Sequence, residues 1–451
     1  VRHAFVVRYR LAGALQGIVL LAAAAFQPIA AQEGAAPQAE DVAPADLAGL
    51  IEEALSSNAS LKAASSRLQA AQSLASLAQA PPDPEVSVAY VNDGVSSFTL
   101  GESEFATLSL TWTQEVPYPG KLRSAGDVAL REGDLASREL DRARLSIASQ
   151  VKIAYADLYR LDRTSAILEE TRAVLESLSQ TAARRYEVGQ GIQENVLKSQ
   201  TEVLRVEAEL LRVRQERKAS EARLNAAVGR SGERPVGPAT SLPEASLPED
   251  PGTLADRAVA SSPEIAVLAA TVRRQEAGAQ LAELGLKPDF LWSASYVNRG
   301  GLDPMIAASF GVRLPLHRER KQSQALLQAD LELQAAHHDL KDGQTRTRAS
   351  VQELVSRAER AERLADLYEQ GVIPQARGAL ESAQASYAVG RIALLDVLGD
   401  VTVLLEARRA LADEESDRLQ ALAALEPLVA MELVRTGADL PGGGDRDASS
   451  R

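Results

Sequence analysis

The sequence predicts a mainly α-helical chain with a membrane β-barrel portion: a duplicated set of long helices forming an α-barrel, plus four β-strands per chain. Three observations carry this expectation. Leu108, Leu110 and Trp112 alternate with Thr107, Ser109, Thr111 and Thr113, a period of two that puts apolar side chains on one strand face and small hydroxyls on the other. Pro117, Pro119 and Gly120 stop that strand, and Lys121 opens an Ala/Leu/Arg/Glu-rich run with helical periodicity over about 65 residues. The same order of strands, breaks and helices then returns roughly 200 residues later, and a repeat of this kind governs the fold.

The elements follow in order. Arg2, Arg8 and Arg10, an apolar run from Leu11 to Phe26, and Pro28-Ile29-Ala30-Ala31 read as a secretory signal peptide over residues 1–31. The competing reading, an anchoring helix, needs about 20 apolar residues, and this core is interrupted by Gly13, Gln16 and Gly17. After a Pro/Ala-rich leader, Leu47–Ala80 reads as helix, ended by Pro81, Pro82 and Pro84. Glu85–Asp93 alternates with Val86, Val88 and Tyr90 on one face, and a second strand is expected near Phe105–Glu115. One long helix from Lys121 to about Arg185 ends at Tyr186-Glu187-Val188-Gly189, and another runs from about Glu194 to Val228. Residues 32–229 thus form a first repeat. Residues 230–252, with five prolines, read as a linker.

A second repeat fills residues 253–436. Ala255–Leu286 is its first helix, and Phe290, Trp292, Ala294 and Tyr296 share one face of a third strand. Ile306, Ala308, Phe310, Val312 and Leu314 share one face of a fourth. The long helix recurs from about Arg318 to Tyr387, then Tyr387-Ala388-Val389-Gly390, then a last helix to about Val434. Residues 437–451, opening with Leu440-Pro441-Gly442-Gly443-Gly444 after three residues, read as a disordered tail. Pro82-Asp83 matches Pro288-Asp289, Tyr90-Val91-Asn92 matches Tyr296-Val297-Asn298, and the stripe Val196/Val203/Leu210 falls on Val397/Leu404/Leu411 with heptad spacing.

Composition narrows the function. The net charge of −13 argues against a nucleic-acid partner. The sequence holds no cysteine, which excludes disulfides, thiolate metal sites and a lipid-bearing cysteine within it. No stretch after residue 31 reads as a membrane-spanning helix, so any spanning part is a closed β-barrel. Aromatic residues make up only 4% of the chain, yet both tryptophans, Trp112 and Trp292, fall in strand-like segments. Leu110, Trp112, Trp292 and Phe310 are therefore expected to face lipid; the bland reading packs them in a soluble sheet, but no second sheet is available to cover them. Four strands cannot close a barrel, which needs about eight, so a ring of identical chains must share the closure.

Together, the signal peptide, the duplicated helix–hairpin–helix–helix order, the Val-Pro-Tyr-Pro-Gly-Lys turn (Val116–Lys121) and the two Tyr-x-Val-Gly breaks resemble the outer-membrane efflux proteins of the TolC family. The resemblance covers essentially the whole chain after residue 31. It implies a homotrimer with a 12-stranded barrel in the cell outer membrane and a helical conduit extending into the periplasm. It also implies a periplasmic adaptor and an inner-membrane pump of the RND type as partners, and outer-membrane lipid around the barrel. The Pro-Gly-Lys turn is most similar to the CusC and CzcC cation-efflux branch, whose members often carry a lipidated cysteine that this sequence lacks.

No catalytic set stands out: there is no GxSxG, HExxH or phosphate loop, and no cofactor or resident metal is expected. His337 and His338 are adjacent, which on a helix points them about 100° apart and leaves them as exposed polar residues. Tyr186, Gly189 and Gly390 mark helix-break tips, where glycine suits a left-handed C-cap. In the resembled family a tyrosine, an arginine and aspartates near these breaks hold a closed periplasmic gate. Position by position, the tyrosine is Tyr387 and the ring carboxylate Asp396. The arginine position holds Ile392 with Arg391 beside it, and the second aspartate falls on Gly399 with Asp400 beside it. The first repeat offers Asn195 where the second has Asp396, with Glu194 adjacent. Asp396 also has a plain reading, as a carboxylate favoured in the first turn of a helix. The function expected is a passive channel of a tripartite efflux system; the alternative is a periplasmic coiled-coil adaptor or scaffold protein.

Overall fold

A computed structural model describes residues 43–247 and 253–436. The expected signal peptide and C-terminal tail lie outside the described residues. The helices α1 (Leu47–Ser57) and α2 (Ala59–Gln79) lead into strands β1 (Glu85–Val91) and β2 (Thr107–Val116), then α3 (Lys121–Glu187) and α4 (Gln193–Val228). The same order follows as α5 (Leu254–Ser261), α6 (Pro263–Leu284), β3 (Asp289–Arg299), β4 (Leu302–Arg313), α7 (Gln322–Leu367), α8 (Ile373–Ala388) and α9 (Leu394–Val429).

Four of the expected helices depart from their bounds, each for a local reason. Leu47–Ala80 is two helices because Asn58 is extended; its side-chain oxygen accepts the Ser60 N–H at 2.8 Å and its amide donates to the Ala227 carbonyl at 2.9 Å. Ala255–Leu286 is likewise divided at Ser262, which precedes Pro263 at a helix start, where the residue before proline is pushed out of the helical region. The helix expected from Arg318 begins only at Gln322, because the amides of Arg320 and Lys321 both turn back onto the His317 carbonyl. It is also interrupted by a π-helical turn at Tyr368–Val372. Pro374 follows that turn; its ring crowds the carbonyl four residues earlier, and a wider turn relieves the clash. Finally, α9 stops at Val429, Ala430 takes φ 50°, and Val434 runs back to bridge Ala245.

The strands form one antiparallel sheet in the order β1-β2-β3-β4. Its register aligns Val88, Leu110, Tyr296 and Ile306 across all four strands, then Val86, Trp112, Ala294 and Ala308, while Trp292 lies opposite both Gln114 and Phe310. The Trp292 and Phe310 rings meet edge to face with centroids 5.0 Å apart. On the central strands this apolar face is the more open one, with Leu110 49% and Trp292 54% exposed against half-buried Ser109 and Ser293, whereas β1 and β4 are exposed on both faces, Ile306 to 85%. The opposite face carries Ser109, Thr111, Ser293, Ser295 and Ser309, with hydroxyl contacts Thr111–Ser295 at 2.9 Å and Ser293–Ser309 at 2.8 Å. Among the described residues β1 pairs only with β2 and β4 only with β3, which leaves both outer edges open. Pro304, which has no N–H to give a ladder, sits in the edge strand β4 beside its bulge.

The helices place their apolar residues inward instead. α3, on the order of 100 Å long, starts directly below the sheet and runs to the far end, packed along α2, α4, α6 and α9. Midway, Leu50, Ile51, Val151, Leu158 and Leu224 form a core that also takes in Val236 and Ala239 of the proline-rich segment. Farther down, Leu168, Leu175, Leu210, Leu380 and Val397 join α3, α4, α8 and α9.

A buried ion pair fastens the two repeats together. Lys152 of α3 and Glu426 of α9 are both buried, with Lys152 Nζ 2.7 and 2.8 Å from the two carboxylate oxygens and 3.1 Å from the Val434 carbonyl. Glu426 Oε1 also accepts the amides of Leu433 and Val434. Burial pushes the Glu426 carboxyl upward, against the opposing pull of Lys152. Removing one partner leaves the other charge stranded, so Lys152→Met should cost about 3–5 kcal/mol. The Lys152→Met/Glu426→Met double variant should recover only part of that, because two backbone amides lose their acceptor. Equilibrium unfolding in detergent, with limited proteolysis of residues 431–436, checks both.

Candidate functional site

The two helix tips farthest from the sheet share one backbone design. At the end of α3 the Gly189 amide bonds to the Tyr186 carbonyl at 3.0 Å and Gln190 N–H to Arg185 O at 2.8 Å. At the end of α8, Gly390 bonds to Tyr387 at 2.9 Å and Arg391 to Ser386 at 2.9 Å. Gly189 and Gly390 take φ of 72° and 78°, the left-handed conformation that lets a residue after the helix return to its last carbonyls.

The side chains differ between the tips. Tyr186 is 48% exposed and Tyr387 only 4%. Tyr387 is covered by Arg185, whose guanidinium carbon lies 5.0 Å from the ring centroid and whose Nη1 donates to the Tyr387 carbonyl. Burial raises the Tyr387 phenol while Arg185 pulls it the other way. Arg185 thus bridges the two tips with a cation–π contact and a charged hydrogen bond to a helix-end carbonyl that also accepts the Gly390 amide. Sequence reasoning sought this arginine near position 392 and missed it. The one signal was its place directly before Tyr186, where the second repeat has Ser386. Ile392 instead packs against the lower helical core, and Arg391 is exposed.

The acidic candidates line the start of α9. Asp396 is exposed and its Oδ2 accepts the Ala393 N–H at 3.1 Å, which satisfies an amide ahead of the first turn. Asp400, one turn on, is half-buried, and Gly399 is exposed. In the first repeat Asn195 is half-buried, while Glu194 is exposed and held below the usual carboxylate range by its hydrogen bond to Lys198, 2.7 Å away. Among the described residues Asp396 and Asp400 thus have no ion-pair partner, whereas Glu194 is matched by a lysine. Among the described residues, no group of three or more acidic or histidine side chains is placed to hold a metal, and His337 and His338 are exposed.

The family profile described as outer membrane efflux protein matches residues 50–230 and 254–430. The chain belongs to the outer membrane efflux protein family. The outer membrane efflux protein BepC of Brucella suis biovar 1 (strain 1330) is 27% identical over 288 residues, 61% of each chain; the match thus spans about three fifths of that relative. Two solved structures share the fold over most of their length. The outer membrane protein VceC of Vibrio cholerae is 24% identical with a TM-score of 0.71, covering 85% of this chain and 96% of that one. The open-state MtrE outer membrane channel of Neisseria gonorrhoeae is 18% identical with a TM-score of 0.72, covering 86% and 90%. CusC matches at 14% identity with a TM-score of 0.72, so fold likeness does not separate the cation-efflux branch from the rest. As a member of this family the chain is an outer-membrane protein, with the channel fold of mainly long helices and four antiparallel strands.

The clasp at the tips makes a paired expectation for this efflux-family chain. A side chain at Gly390 would meet Arg185 Nη2 at 2.8 Å, whereas one at Gly189 meets nothing within 4 Å. Both substitutions to alanine strain a left-handed residue, but Gly390→Ala should also displace Arg185 and cost more. Arg185→Gln should cost about 1–3 kcal/mol and speed hydrogen exchange across residues 386–392, and exposed Arg184→Gln should do neither. Hydrogen-exchange mass spectrometry reads all four variants.

Proposed function

We propose that three copies of this chain assemble into a passive outer-membrane channel: a 12-stranded barrel continued by a helical tunnel into the periplasm. The channel conducts substrates delivered by an inner-membrane pump of the RND type through a periplasmic adaptor. The observation that carries this reading is a single sheet with one apolar and one hydroxyl-bearing face, neither covered by another layer among the described residues, and with both edges open. In lipid, an open edge leaves backbone groups unpaired and is not tolerated, so β4 of one copy must find β1 of another. The apolar face then meets hydrocarbon, with Leu110, Trp112, Trp292 and Phe310 among its lipid contacts. A periplasmic scaffold would leave that face in water.

The helical half supports the same closure. Leu197, Leu204 and Leu211 on α4 form a heptad stripe that is 55–65% exposed. The repeat offset maps them onto Leu398, Leu405 and Ala412 of α9, which are buried or half-buried. α9 packs between α3 and the α7–α8 pair, whereas α4 has only α3 as a full-length neighbour. The missing neighbour of α4 is the α7–α8 pair of the next copy, a stripe spaced for coiled-coil packing.

The trimer should purify from outer membranes in detergent; a monodisperse monomer soluble without detergent overturns the reading. Leu110→Arg near the bilayer midplane should destabilise the trimer by about 2–4 kcal/mol, whereas Ser109→Arg should mainly alter conductance. Equal effects of the two in trimer thermal stability would show that the alternation does not report lipid facing.

At the tips, threefold symmetry brings three copies of Asp396 around the axis, with Asp400 a turn away. Converging carboxylates attract cations to a narrow pore. The entrance should therefore be cation-selective and open to block by a trivalent cation from the periplasmic side, less so at high salt. Single-channel recordings of Asp396→Asn should show weaker block and selectivity. Unchanged block would leave Asp396 as a helix-start carboxylate alone.

A further inference from the structure

Where the second repeat passes from sheet to helix, the chain exposes a turn of unusual chemistry. Leu314 and Leu316 are 60% and 83% exposed, and His317, Arg318, Glu319, Arg320 and Lys321 are all exposed. The turn is ordered by its backbone: the Leu316 amide bonds to the Leu314 carbonyl at 2.9 Å, Lys321 to His317 at 3.0 Å and Ser323 to Arg318 at 2.8 Å. Among the described residues of one copy no carboxylate lies within ion-pairing distance of Arg318, Arg320 or Lys321. The neighbouring acids are already engaged, Glu115 by Arg313 and Asp289 by Lys121 at 2.7 Å. Glu319 is the one carboxylate within the run. This leaves a local positive excess on a chain of net charge −13.

The corresponding turn of the first repeat has none of this. Pro117–Lys121 is compact, with Lys121 Nζ tied to Asp289 and to the Lys287 carbonyl at 3.1 Å, and the Tyr118 amide tied to Asp289 at 2.9 Å. The repeat therefore does not require an exposed cationic turn for its fold. Its place is also informative. Asp289 opposite Arg313 closes the sheet at its helix-side end, and Phe290, Val312, Trp292 and Phe310 of the uncovered apolar face begin directly above. Two exposed leucines continue that face, and three cations with no ion-pair partner in their own chain among the described residues rim it.

We propose that Leu314–Lys321 is a binding surface for anionic phospholipid headgroups on the helix-side leaflet. Leu314 and Leu316 enter the interface below the acyl chains, and Arg318, Arg320 and Lys321 contact headgroup phosphates. Basic side chains beside an apolar surface are the pattern that anionic leaflets attract, and guanidinium groups suit phosphate oxygens. The inference rests on the lipid-facing reading of the sheet, and the experiment separates the two.

The chain holds two tryptophans, Trp112 and Trp292, both on the apolar face, so their fluorescence reports the surrounding lipid. The full-length protein is reconstituted in mixtures of phosphatidylcholine and phosphatidylglycerol, with one or the other brominated. Quenching should show a preference for phosphatidylglycerol of roughly threefold or more, reduced by salt. In the Arg318→Gln/Arg320→Gln/Lys321→Gln variant the preference should fall close to one, with the trimer intact on gels. The Arg205→Gln/Arg212→Gln control on α4 should keep it. Equal quenching by the two lipids in the parent, or an undiminished preference in the triple variant, overturns the assignment. Absence of quenching by either brominated lipid would instead overturn the lipid-facing reading, and the inference with it.

Discussion

The backbone of a sheet must be paired on both edges wherever water is excluded, and the rest of this molecule is arranged around that demand. One chain meets it for β2 and β3 and leaves it unmet for β1 and β4. The two hairpins are held in register at both ends. Lys121 and the Tyr118 amide grip Asp289 at the helix side, and at the other end two loops approach so closely that a Cβ on Gly300 would lie 2.3 Å from the Gly101 Cα. A sheet fixed in this way presents its edges as a rigid template, and the same incompleteness recurs among the helices, where α4 has no second full-length neighbour among the described residues. Sheet and helices thus call for the same partner, a further copy of the chain.

Duplication gives the two halves one backbone plan and different side chains. Both tips end in the same glycine-terminated turn, but the first contributes Arg185 where the second has Ser386, and the second contributes Asp396 where the first has Asn195. α3 is continuous for its whole length, whereas its counterpart is divided by the π turn ahead of Pro374, at a position where α3 has Ala173. Beside that turn, Arg163, Arg377 and Arg408 line a cavity of about 250 Å³, and Arg408 leads in holding the Glu170 carboxyl below its ordinary range. The first repeat is the more regular wall, and the second carries the departures from ideal helix.

Much of this was legible in the sequence because it rests on periodicity. The alternation at Thr107–Thr113 set both the strand and its apolar face, and the Tyr-x-Val-Gly pairs placed both tips. What stayed hidden depends on contacts between distant residues. Asn58 reads as an ordinary helix residue until its amide meets the Ala227 carbonyl. The π turn was signalled by Pro374 alone, and a proline inside a helical pattern does not say whether the helix breaks, kinks or widens. Arg185 escaped notice for a related reason. An arginine in the last turn of a helix is favoured there for the helix's own sake, so its position gave no hint of a contact 202 residues away.

The tip also shows how a helix start and a proposed pore carboxylate can be the same residue. One oxygen of Asp396 is committed to the Ala393 amide, which fixes the side chain and leaves the other oxygen open. In the proposed trimer, two such charges about 10 Å apart in water repel by roughly 0.4 kcal/mol. The field of a helix N-terminus stabilises a carboxylate in its first turn by about 0.3–1 kcal/mol. The two effects are of the same size and opposite sign, so α9 offsets the repulsion that assembling the ring creates. The two tips thus differ in what faces their carboxylates: a helix start at Asp396, and Lys198 at Glu194.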